Sequence, residues 1–454
     1  MIRIICPNNN VPERTYSIDV IFHELLGLAE NQYKVLYDTD IDNYYKIEIN
    51  EYSLKIEDHF FRFHKESLSY LNHDNIPLDL KYFHAFDLQV PIIYGVDKFI
   101  QEGKAFCIGL DIFASTFFML TRWEESFLGR EENGDCDESQ LFTVKHNIHK
   151  RPIVNEYEQF LRTLFFLCGI ELPTRQYQVT LTHDVDGIIT PSWVRILKSL
   201  IKRVFGKYRT SITVLSWRQQ LKYKFLCPTY FSQFNFYRDI AKKYNVSEWF
   251  YLKVCAKGEV ESTYHYNDSE LVNLVEYLQK EKNTYLGFHP SQSTFKNSKQ
   301  WKEEVQRIKQ LISNAFIIGR NHHLLYNYEM LRWWDKMATE SQIKDFKISN
   351  CVFHKRLGFR SGVAVPYPIY DIFNRKVMTL KEYPCQIMDS AIRLAKYSST
   401  SNNDIMNDIE YIVNQCKRYS GHLLLTWHIY VRRVEIIKEY YQLCLKTIEL
   451  SAQK

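Results

Sequence analysis

From Val179 to Trp427 the sequence repeats one pattern: a short apolar, β-branched run followed by a segment of helical period. The strand-like runs fall at 179–187, 248–254, 284–289, 315–319, 346–350, 378–387 and 422–427. Helical segments lie between them at 231–244, 270–282, 302–313 and 328–338, the second carrying Leu271, Leu274, Val275 and Leu278 on one face. Strands separated by helices cannot pair as tight hairpins and instead pair in parallel. The pattern therefore predicts an α/β fold, with a parallel sheet or a (β/α) barrel, whose chemistry gathers at the carboxyl ends of the strands.

Polar residues stand at those ends. The first run reads Val-Thr-Leu-Thr-His-Asp-Val-Asp-Gly, closing with Asp184, Asp186 and Gly187. Alternate strand residues share a face, so the two carboxylates converge if the strand persists. Convergent carboxylates suit metal binding or general-base work, and they equally suit an Asx-type turn. His289 closes the third run within Gly-Phe-His-Pro-Ser-Gln-Ser, and Arg-Asn-His-His-Leu, with His322 and His323, follows the fourth. Arg360 sits in Gly-Phe-Arg-Ser-Gly, Asp389 follows Pro-Cys-Gln-Ile-Met, and His428 follows Leu-Leu-Leu-Thr-Trp. A single polar residue after a strand is commonly a cap or a core group, but six in register argue for one site.

A length of 454 residues predicts two or three domains, and 24% charged with 45% hydrophobic residues is an ordinary globular balance. A net charge of +5 is too mild to argue for nucleic acid. Aromatic residues reach 15%, with 32 tyrosines, which fits carbohydrate handling and also fits a compositional bias. Ten cysteines without a CxxC pair indicate neither a zinc finger nor a disulfide framework. The first residues are too short an apolar run for a signal peptide, and no run is long enough for a membrane span, so a cytoplasmic protein is expected.

Residues 1–172 read as a smaller α/β domain. Within it, 17–29 predicts an amphipathic helix, 45–56 a strand pair, and 157–168 an apolar helix. An Asp-capped helix over 111–125 is apolar nearly all round and should be buried. The polar stretch 129–152 reads as a surface loop, with His146 and His149 three apart as solvated histidines or a metal pair. The second domain is expected over 176–454, with a basic helical insertion at about 190–228. No acidic residue occurs from Gly187 through Arg238, while Arg195, Lys198, Lys202, Arg203, Lys207 and Arg209 ride above an apolar stripe. Such a helix, running from Arg195 to Arg209, suits an anionic membrane surface, a lid over an anionic substrate, or a solvated face.

In the order and spacing of these motifs, residues of about 176–454 resemble the polysaccharide deacetylases, carbohydrate esterase family four, in the bacterial branch whose first motif reads His-Asp-Val-Asp. The region before them, chiefly through 111–125, is similar to the domain that precedes such deacetylases in surface-polysaccharide gene clusters. The resemblance implies a distorted (β/α) barrel and metal-dependent removal of an N-acetyl group from a sugar in surface polysaccharide biosynthesis. It implies Asp184 as general base, Asp186 and His289 as metal ligands, and Arg360 as the arginine orienting the base. It further implies His428 as general acid with Asp389 in support. The implied cofactor is a divalent metal, zinc above all. The implied substrate is an N-acetylated sugar, oligosaccharide or lipid-linked glycan, met by a cytoplasmic enzyme at the inner face of the membrane. One departure stands out: the family's second histidine, four residues after the first, is Ser293 here. His322, or its neighbour His323, is the candidate third ligand. Without one, the alternative is an inactive relative that binds glycan or scaffolds an assembly complex.

Overall fold

The computed structural model describes residues 1–128, 136–188, 193, 197–198, 200–201, 221, 231–259, 261, 264–312, 316–325, 327–397, 401–429 and 446–452. Most of the basic insertion, including Arg195 and Arg209, lies outside the described residues. The chain forms two compact units. One comprises Met1–Gln178, Asn327–Gln386 and Asn414–Leu423; the other comprises Val179–Tyr326, Ile387–Val413 and Leu424–Lys454.

The first unit is a mixed α/β layer. Its strands are β1 (Ile2–Pro7), β2 (Tyr33–Asp38), β3 (Tyr44–Ile49), β4 (Tyr52–Glu57), β5 (Lys81–Ala85), β6 (Leu88–Ile92), β7 (Gly95–Glu102) and β8 (Ala105–Leu110). Six of them form a sheet ordered β2-β1-β3-β4-β8-β7, and β5 and β6 make a separate hairpin. The strand pair expected over 45–56 is the antiparallel β3–β4. The helix Ile112–Thr121 is buried at all ten positions, and the Asp111 side chain caps it by accepting from the Ala114 N–H. Its rings pack beside Ile47, Ile56 and Ile108 in one continuous core. The helix Ile153–Leu167 completes that core and begins earlier than the sequence indicated.

Two expectations in this unit are corrected. The helix placed at 17–29 instead runs Val11–Asp19 and continues as a π-helical turn, Val20–Leu25. Pro12 sets its start, since proline suits a first helical turn, whose N–H groups have no partner within the helix. The stretch expected as a surface loop is partly interior. Glu138 is buried and accepts the His354 and Lys355 backbone N–H groups, and His149 is buried, while half-buried His146 bonds the Leu78 carbonyl. His149 and His146 are thus separately engaged, because their different burial sends the two rings to different neighbours.

The second unit carries β9 (Gln178–Val185), β10 (Ser247–Leu252), β11 (Thr284–Phe288) and β12 (Ile318–Gly319). Three later strands, β13 (Phe346–Ile348), β14 (Tyr367–Asp371) and β15 (Lys376–Glu382), belong to the first unit. β16 (Ile387–Met388) and β17 (His422–Thr426) then complete the second unit's sheet, in the order β12-β11-β10-β9-β17-β16. Here β9 pairs parallel with β10, β10 with β11, β11 with β12, and β16 with β17. The expected alternation of strand and helix is therefore present, and the sheet is mostly parallel. The single strand expected over 378–387 is two: β15 ends at Glu382 and β16 starts at Ile387. Tyr383 and Cys385 between them give their N–H groups to Ile348 and Cys351. Helices Phe231–Tyr244, Ser269–Gln279 and Ser298–Leu311 lie at their expected places, and Leu271, Leu274, Val275 and Leu278 are buried as one face. No helix among the described residues is long and apolar enough to cross a membrane.

Candidate active site

Strand register builds the site. Val185 pairs with Leu252, Leu252 with Phe288, and Phe288 with Gly319. The next residue on each chain is Asp186, Lys253, His289 and Arg320, so four polar groups leave adjacent strand ends together. Alternation along β9 decides which side chains join them. Thr182 and Asp184 share one face, and the Thr182 hydroxyl meets Thr426 at 2.8 Å. His183 faces the other way, against the rings of Tyr237 and Phe250.

Asp184 is buried and held by Arg320, whose Nη1 donates to Asp184 Oδ1 at 3.0 Å. The same Nη1 reaches the hydroxyls of Thr426 at 2.8 Å and Thr182 at 3.2 Å, and the guanidinium lies over the Tyr251 ring. Burial alone would raise the Asp184 carboxyl. Arg320, His289 and His428 outweigh it and hold the carboxyl below the ordinary carboxylate value. On the other oxygen, His428 Nε2 lies 3.5 Å away.

His428 follows β17, and Asp389 follows the paired β16 and opens the helix Asp389–Tyr397. The Asp389 carboxylate takes both the His428 backbone N–H, at 3.0 Å, and its Nδ1, at 2.5 Å. A carboxylate can only accept, so Nδ1 carries a proton and Nε2 faces Asp184. Burial opposes the imidazolium, but Asp389, then Asp184 and Asp186, push its pKa up to about 9.

Asp186, His289 and His322 form a group that could hold a metal ion, with ligand atoms all within 4.8 Å of one another. His289 is 1% exposed, and its Nε2 is buried and receives no hydrogen bond among the described residues. Its Nδ1 faces the Arg320 carbonyl at 2.7 Å, so Nδ1 donates and the Nε2 lone pair points into the cluster. Burial drives its pKa down to about 3, against the pull of Asp184, which keeps that lone pair available. His322 is oriented in the same sense: Nδ1 lies 3.0 Å from Glu261 Oε2, leaving Nε2 as acceptor 3.5 Å from Asp186 Oδ1. Burial would raise Asp186, but Lys253 and the surrounding histidines hold it well below its ordinary value. The donor set, with two lone pairs fixed by outer hydrogen bonds, suits a divalent cation.

The structure thus brings together Asp184, Asp186, His289, His322, Asp389 and His428. Ser293, at the family's second-histidine position, lies exposed in the short turn Gln292–Thr294. Arg360 is engaged inside the first unit instead. Its Nε meets Glu125 at 2.9 Å, its Nη1 meets the Val352 carbonyl at 2.8 Å and Glu138 at 3.5 Å, and its Nη2 meets Cys136 Sγ at 3.1 Å. The guanidinium on Asp184 is that of Arg320, because Arg320 leaves a strand end in register with the site. Lys253 and Glu261 were missed in the sequence. A signal existed for Lys253, a cation closing the apolar run Trp-Phe-Tyr-Leu at a strand end. Glu261 has none, since it lies in a turn. His323 is exposed beside His322, in a second His/Glu group with Glu261.

Residues 2–166 match the model of a family described as "Family of unknown function (DUF7033)". No curated protein matches the chain. Among solved structures, the chain is similar to a candidate polysaccharide deacetylase involved in O-antigen biosynthesis from Bordetella bronchiseptica. The two share 14% identity over 61% of this chain and 85% of that one, with a TM-score of 0.30. At that score the likeness is distant.

Proposed function

We propose that the protein is a metal-dependent hydrolase that removes an N-acetyl group from a sugar destined for surface polysaccharide, acting on a free, oligomeric or lipid-linked glycan. The observation that carries this reading is one cluster holding both a carboxylate–imidazole pair, Asp184 and His428, and a ligand triad, Asp186, His289 and His322. The triad would hold a divalent cation, zinc by its donor set, which when bound polarises an acetamide carbonyl and lowers the pKa of water.

The chain's own residues supply the proton transfers. Arg320 fixes Asp184 with one oxygen turned to the site, where it accepts the proton of the attacking water. Hydroxide adds to the carbonyl carbon, the C–N bond breaks, and acetate leaves. His428, kept protonated by Asp389, delivers its Nε2 proton to the departing amine nitrogen. The basic 195–209 segment is proposed to meet anionic lipid near a lipid-linked substrate.

Amine release from N-acetylated sugar oligomers, with and without a chelator, tests the reading. Chelator-sensitive release that falls about 100- to 10,000-fold in Asp184→Asn is expected. Absence of both release and metal binding would sink it and favour a non-catalytic glycan-binding relative. One observation leans toward that second reading, namely the lysine ammonium already seated against the triad.

A further inference from the structure

The triad contains a cation of its own. Lys253 is 4% exposed and stands at the end of β10, in register with Asp186 and His289. Its Nζ lies 2.9 Å from Asp186 Oδ1 and 3.0 Å from His322 Nε2. These are two of the atoms a metal ion would need. Glu261 holds the proton of His322 on Nδ1, so Nε2 has one lone pair, and the ammonium takes it. A carboxylate oxygen and an imidazole lone pair cannot serve an ammonium and a divalent ion at the same point. Nor would two cations share a buried site without large repulsion. The lysine stem is long and flexible enough to withdraw.

We propose that Lys253 is the resident counter-cation of the Asp186–His289–His322 cluster, and that a divalent ion enters only by displacing its ammonium. The inference rests on the metal-dependent reading above and adds a gate to it. The site exchanges one cation for another, so the Asp186 carboxylate has a counter-cation in both states, and metal loading is weaker than three protein ligands alone would give.

The test is zinc titration of the purified full chain against a competing chelator, for the wild type and Lys253→Met, which keeps length and removes charge. Lys253→Met should bind zinc at least about tenfold more tightly. Equal or weaker binding by Lys253→Met, with the wild type binding zinc, overturns the gate and leaves the metal reading standing. Zinc binding by Lys253→Met alone supports the gate and removes the metal-dependent reading of the wild type. Binding by neither protein overturns both. Should Lys253→Met fail to fold, the wild type decides. Labelling with an amine-reactive acetyl ester, read at Lys253 by mass spectrometry, should rise at least about tenfold on adding zinc, because the displaced ammonium reaches solvent. Unchanged labelling overturns the exchange.

Discussion

Arg320 Nη1 donates to Asp184 Oδ1 at 3.0 Å, and the two residues are 136 positions apart in the chain. Both side chains are buried, and two threonine hydroxyls take up the same guanidinium nitrogen. The carboxylate is thereby held charged and aimed, where burial alone would favour its neutral form.

Arginine at 320 and arginine at 360 should therefore behave differently. Arg320→Met is expected to lower turnover by about 100-fold or more, with zinc still bound, since it removes the group that orients the proposed base. Arg360→Met should act on stability, by about 3 kcal/mol, because it removes a buried cation that pairs with Glu125 and lies 3.5 Å from Glu138. Chemical denaturation alongside steady-state rates separates the two; equal loss of turnover in both folded variants would contradict the assignment.

The pH profile should fall on the alkaline side near 9, where His428 loses its proton. Asp389→Asn removes the largest stabiliser of the imidazolium, so that limb should move to lower pH. The same group enters stability. Its folded pKa lies above the unfolded value of 6.5, so its contribution is full below that value and is lost as pH rises through about 9. An alkaline limb that stays in place in Asp389→Asn counts against His428 as the acid.

Metal affinity should fall comparably in His322→Ala and His289→Ala and far less in His323→Ala, whose ring is exposed. Glu261→Gln, which no longer fixes the His322 tautomer, should cost about 10- to 100-fold in affinity. Competitive zinc titration reads all four, and an unaffected His322→Ala would place the third ligand elsewhere.

The first unit offers a check independent of metal. Asp111 caps the buried helix Ile112–Thr121 and also accepts the His59 N–H. Asp111→Ala should cost about 1–2 kcal/mol in unfolding free energy without changing zinc affinity. A loss well under 0.5 kcal/mol would mean the cap contributes little there.

Local pattern alone determined much of this protein. Hydrophobic period placed the helix Phe231–Tyr244 and the buried face of Leu271, Leu274, Val275 and Leu278, because those features depend on residues a few positions apart. The alternation along Thr182, Asp184 and Asp186, and the polar residues closing successive strands, pointed to Asp184, Asp186, His289, His322, Asp389 and His428. Only the tertiary structure decided which cations meet those carboxylates. A motif containing arginine says nothing of where its guanidinium lands; Arg320 reaches Asp184 because β11 and β12 pair in a register that ends both at the site. Lys253 meets Asp186 and His322 for the same reason, through pairing across strands 67 and 69 residues distant (253 − 186 and 322 − 253). Burial likewise settled the 136–152 stretch, where polar Glu138 and His149 are interior because backbone N–H groups and a ring from later in the chain receive them. Composition cannot report such long-range partners, since they are made by the fold and not by neighbours in sequence.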